Sequence, residues 1–198
     1  MNWMLARMTT LIIGLVVFLG IHSISIFAPR FRDGLAARLG AGPWRGIYSV
    51  ISIVGFVLII EGYAHARHEP VVLYSPPFWT HHVTALLMVP VFPLLFAPYF
   101  PGKIQATLKH PMLVAVKLWA VAHLISNGML ADVVLFGAFL VWAVADRLSY
   151  RRRTPRPLKG APPSGRNDVI VVVVGLALYV AFLLWLHLKL IGVQPIPL

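Results

Sequence analysis

Cysteine is absent from the 198 residues. That excludes disulfides, iron–sulfur clusters, thiolate-ligated haem and covalent haem attachment through CxxCH, so any metal must rest on His, Met, carboxylate or backbone ligands. Acids are nearly as scarce, with six Asp and Glu against 17 Lys and Arg, a formal net charge of +11. Ion transport through carboxylates is poorly served, because Glu61 is the only acid well inside a span end. A hydrolase triad is equally unsupported: Ser23, Ser25 and Ser126 are embedded, and no acid–histidine–serine spacing recurs. Charged residues are only 12% of the chain against 59% hydrophobic, at mean hydropathy +0.83. No soluble domain of this length hides that much apolar surface, so the chain reads as an integral membrane protein. The basic excess sits in loops beside apolar runs. It is therefore a topology signal and an attraction to anionic lipid headgroups, not a nucleic-acid footprint.

A membrane crossing takes ~20 apolar residues. Six runs qualify, near 8–28, 46–63, 79–98, 111–126, 130–150 and 168–191. The expected fold is an all-α polytopic bundle of about six transmembrane helices, forming one domain over 1–198, with no internal repeat. The first run is too long for a signal peptide and lacks a small-x-small cleavage site, so it is expected to stay. Loops after the first, third and fifth runs hold thirteen of the Lys and Arg residues; Arg7, Arg67 and Lys189 face them, and Lys117 lies within a span. The positive-inside rule then places both termini outside the cytoplasm of an inner (plasma) membrane.

The segment 151–167, RRRTPRPLKGAPPSGRN, reads as a solvated basic cytoplasmic linker, or else a lipid- or partner-binding patch. Residues 30–45 suit a short interfacial helix carrying Leu35, Leu39 and basic residues. In the third run Pro90, Pro93 and Pro98 each remove a helix hydrogen bond. Either a kinked helix end or a helix bent open around a cofactor or substrate satisfies that pattern.

Eight histidines are many for so apolar a chain. His22 and His123 lie inside spans, where an imidazole needs a partner, a cavity or a metal; both are candidate metal ligands. Trp119 and Asn127 lie one turn either side of His123, which makes them candidate cofactor contacts. By depth, at 1.5 Å rise per residue, His22 lies ~20 Å below the outer end of its span and His123 only ~5 Å below its own. On depth alone His187 is the better mate for His123. His65, His68, His81 and His82 fit an interfacial ring at headgroup level. His110 precedes Pro111 at a helix start and fits a cap.

Several of these residues stand in a wider pattern: His22-Ser23, then Arg45-Gly46-Ile47-Tyr48-Ser49, His110-Pro111, Leu118-Trp119-Ala120-Val121-Ala122-His123 and Asn127-Gly128. Phe136-Gly137, Trp142-Ala143, Asp146-Arg147 and the arginines 151–153 extend it. Over nearly its whole length the chain resembles the NnrU family of bacterial membrane proteins, itself similar to the 15-cis-zeta-carotene isomerases. The resemblance implies haem b ligated by His22 and His123, and some role for His110 and His65 in catalysis. The family name implies nitric oxide and nitrite handling in denitrification, with a denitrification enzyme as partner. The isomerases imply cis–trans isomerisation of a lipophilic polyene. Residues 62–68 match the isomerases only loosely, and the chain lacks their additional membrane segments.

Two other functions compete. A non-enzymatic accessory or regulatory factor for denitrification enzymes would use the basic linker to dock its partner. A membrane methyltransferase is suggested by Lys109-His110-Pro111, which resembles the Arg-His-Pro motif of isoprenylcysteine and phospholipid methyltransferases, but the acidic pair those enzymes need is missing.

Overall fold

Glycines seven residues apart let two long helices touch backbone to backbone. In the computed structural model, which describes residues 2–153, 156 and 158–196 with backbone alone at 2–7, the order is α1 (Asn2–Phe27), α2 (Pro29–Leu39), α3 (Ala41–His68), α4 (Thr80–Met88), α5 (Val91–Phe96), α6 (Lys103–Leu108), α7 (Pro111–Ser126), α8 (Leu130–Ser149), α9 (Arg166–Ala181) and α10 (His187–Ile191). On α3, Gly55 and Gly62 share a face that meets α1 in antiparallel register. A Cβ on Gly55 would lie 2.7 Å from the Phe18 nitrogen, and one on Gly14 of α1 2.6 Å from the Ile59 nitrogen. Gly62 abuts Leu11 in the same way. In lipid, where apolar side chains gain nothing by leaving hydrocarbon for one another, such close approach supplies the dispersion energy of helix pairing.

The chain divides into two compact units, one of Met1–Tyr74 with Met129–Arg153 and one of Ser75–Gly128 with Thr154–Leu198. In the first, α8 packs on the α1–α3 pair. Phe139 meets Phe18 with ring centroids 5.7 Å apart, and Tyr63 donates a 2.6 Å hydrogen bond to Asp132. Asp132 also accepts the Met129 N–H at 3.0 Å, capping α8, and is 2% exposed. Val72 and Met129 form an isolated bridge beside it, and no strand occurs among the described residues.

In the second unit the proline run breaks the third apolar segment at Val89–Pro90 into α4 and α5. Pro93 packs directly against Gly175 of α9, while Val91, Leu94 and Ala115 of α7 form the core. The bend therefore serves close helix packing. Thr84 donates to the Ala122 carbonyl (2.7 Å) and Tyr179 to that of Ala85 (2.9 Å), tying α4 to α7 and α9. α9 passes through a π-helical turn, Phe182–Leu186, where Phe182 meets Phe92 at 5.0 Å.

Among the described residues three helices are long and apolar enough to cross a membrane: Met8–Phe27, Ala41–His68 and Arg166–Ile191. The other three expected spans differ in kind. Thr80–Phe96 and Pro111–Ser126 are apolar but shorter, and α8 carries Asp132, Asp146 and Arg147. α3, the second expected span, runs past Tyr63 to His68, so His65 and His68 belong to its last turn.

The basic segment 151–167 is exposed at 151, 152, 158–160 and 162–166 and is tied down at three points near its end, while Thr154, Pro155 and Pro157 lie outside the described residues. Ala161 N–H donates to the Tyr99 carbonyl and Ser164 N–H to that of Pro101. The Asn167 amide reaches both Pro101 and Pro162 carbonyls, at 2.8 and 2.9 Å. Asp168 then caps α6, accepting the Lys103 and Ile104 N–H groups at 2.8 and 3.0 Å.

Candidate functional site

α1 carries His22 one turn beyond Phe18, and the helix uses that spacing twice. The ring donates its Nδ1–H to the Phe18 carbonyl at 2.6 Å and stacks on the Phe18 ring at 4.2 Å. A carbonyl only accepts, so Nδ1 holds the proton and Nε2 keeps its lone pair. Tyr48 of α3 and Trp142 of α8 meet the ring edge-on at 5.2 and 6.0 Å. Asp146, one turn beyond Trp142, lies within electrostatic reach of His22 and Tyr48 and pairs with Arg153. Both side chains of that pair are only 10% exposed. Reading Arg151–Arg153 as solvated therefore fails for Arg153, which also bonds Ser149 and lies 4.0 Å over the Tyr150 ring.

Beside this cluster an open apolar groove runs between α1 and α8, lined by Leu19, Ser23, Phe27, Ala138, Val141 and Trp142 among others. Trp142 belongs to both, and its indole N–H is buried without a hydrogen-bond partner among the described residues.

His123 belongs to the second unit, and α7 repeats the arrangement seen at His22. Its Nδ1–H donates to the Trp119 carbonyl at 2.9 Å, with the two rings 5.6 Å apart. Asn127 closes the helix by donating its amide to the His123 carbonyl at 3.0 Å. Trp119, His123 and Asn127 are thus brought together as their spacing implied. His187, the alternative mate, donates Nδ1–H to the Val193 carbonyl at 2.7 Å.

A haem-ligating imidazole has its Nδ1–H anchored, which leaves the lone pair on Nε2. His22 and His123 both meet that description. His65 does too, donating to the Glu61 carbonyl at 2.8 Å, though it is exposed on the last turn of α3. His110 occupies the N-cap position of α7 without a side-chain cap bond, which corrects the reading of it as a simple cap. Before it, Lys109 has φ +60° and ψ −40°, and the His110 N–H reaches back to the Leu108 carbonyl at 2.6 Å. This is the strained, positive-φ form of γ-turn, rare for a residue with a Cβ. Among the described residues no three His, Asp or Glu side chains converge as a metal site, so a multi-carboxylate centre is not built here.

Sequence reasoning missed Tyr63–Asp132, Asp146–Arg153, the Lys109 turn and the Asp168 cap. Burial and the Asp132 carboxylate also push the hydroxyl of Tyr74, in the loop after α3, above its ordinary range.

Residues 10–195 match the family model described as NnrU protein. No curated protein and no solved structure matches the chain.

Proposed function

The chain belongs to the NnrU family, and from that premise we propose that it is a multi-pass b-type haem protein of the inner (plasma) membrane, with His22 and His123 as the iron-ligating residues. The observation that carries this reading is the shared ring geometry. In each histidine Nδ1–H is held by the carbonyl one turn back, which leaves Nε2 as the ligating nitrogen. When bound, haem would supply a redox-active iron able to take a small ligand, with His22 and His123 as the residues that would hold it.

The chain's own residues hold and shield that chemistry. Phe18, Tyr48 and Trp142 enclose the His22 ring, and Trp119 and Asn127 fix His123 at the end of α7. His110 and His65 are the proposed catalytic residues. The function is redox-linked, in nitric oxide and nitrite metabolism or in cis–trans isomerisation of a lipophilic polyene. The apolar groove beside Trp142 supports a lipophilic ligand. We assign six crossings within one domain over 1–198, α4–α5, α7 and α8 completing the three long spans, with both termini outside and the basic 151–167 segment inside.

The test is haem content. Protein purified from haem-replete cells should carry about one haem b per chain with a Soret band. Colourless protein would overturn the haem reading and leave the accessory role in denitrification in front.

A further inference from the structure

A helix that follows a membrane span and fully buries none of its own residues leaves much of its surface to whatever lies outside the protein. α2 is such a helix: Pro29 opens it directly after α1, and no residue along it is buried. Two of its apolar residues are exposed, Phe31 at 62% and Leu39 at 42%, while Leu35 between them is half-buried, and Phe27 at the end of α1 reaches 80%. At about 3.6 residues per turn, Phe31, Leu35 and Leu39 form one stripe with Arg38 on one margin and Arg32 on the other.

The arginines are not equivalent. Arg32 is engaged, bonding Asp33 at 2.9 Å and lying 5.7 Å from the Trp44 ring centroid. Arg30, Arg38 and Arg45 have no carboxylate partner among the described residues. Asp33 is the only acid between 29 and 46, so the local excess is positive.

We propose that α2 is a docking helix for anionic phospholipid headgroups. Arg30, Arg38 and Arg45 engage the phosphodiesters, and Phe27 and Phe31 seat below them among the acyl chains. The guanidinium fork matches phosphate oxygens in a way a lone ammonium does not. Exposed phenylalanines continuous with the lipid-facing end of a spanning helix fit a bilayer interface. An acidic protein partner would meet the arginines but leave that apolar stripe unused. This inference is independent of the haem reading.

The experiment uses the full chain reconstituted in vesicles of mixed phosphatidylglycerol and phosphatidylcholine, then released for native mass spectrometry to count retained lipids. The wild type should retain phosphatidylglycerol in preference to phosphatidylcholine, and rising salt should weaken that preference. Replacing Arg30, Arg38 and Arg45 by Gln should lower the preference about fivefold per residue, while Lys at the same positions should keep only part of it. A triple Gln variant with wild-type preference would overturn the proposal. So would an equal loss in an Arg151→Gln, Arg152→Gln control, or complete displacement by inorganic phosphate, which would mark a free-anion site.

Discussion

Tyr63 on α3 and Asp132 in the first turn of α8 are joined by a 2.6 Å hydrogen bond across 69 residues of sequence. The carboxylate also caps its own helix through the Met129 N–H, so one buried acid serves both a helix end and a helix contact. Tyr63→Phe removes one charge-assisted bond and should cost about 1–3 kcal/mol. Asp132→Ala should cost more, because it removes the cap and also orphans the Tyr63 hydroxyl. Thermal unfolding in detergent checks both; equal or negligible losses would mean that the two residues do not share a bond.

The α1–α3 contact leaves no room for a side chain at Gly14 or Gly55. Gly14→Val or Gly55→Val should each cost about 2 kcal/mol or more, since backbone, not a flexible side chain, occupies the space. The two losses should fall short of additivity, because either substitution already forces the helices apart. Fully additive losses would contradict that close register.

At Lys109 the expected change is a gain. Glycine meets no Cβ penalty at φ +60°, so Lys109→Gly should stabilise the protein by about 1 kcal/mol, raising Tm by roughly 2–4 °C. A lower Tm would show that the turn is not strained.

The absence of cysteine makes sidedness simple to read. Glu69→Cys and Gln194→Cys should react with an impermeant maleimide from outside intact spheroplasts, and Lys159→Cys only after permeabilisation. Labelling of Glu69 and Gln194 from opposite sides would rule out six crossings.

The fourth run, 111–126, coincides with α7 because Pro111 and Asn127-Gly128 punctuate both ends. Trp119, His123 and Asn127 were legible as one face because helical spacing alone joins residues four apart. The ring tautomers of His22 and His123 follow from the same local rule. Asp146–Arg153 was not legible: seven residues separate them, but Arg153 lies past the end of α8 and its composition reads as loop. Tyr63–Asp132 was not legible, since nothing local links residues on separate helices. The interruption of the third run was legible from Pro90 and Pro93, but where it falls, at Val89–Pro90 between α4 and α5, was not, because that depends on how the two pieces pack on α7 and α9.

The most direct measurement is the absorption spectrum of oxidised and dithionite-reduced wild type, His22→Ala and His123→Ala, each purified in folded form from haem-replete cells. Ligation by this pair requires a sharp Soret band with reduced α and β bands in the wild type, lost or shifted in both variants. Unchanged bands in either variant would remove that histidine from the iron, and a spectrum without haem bands in the wild type would contradict the cofactor assignment altogether.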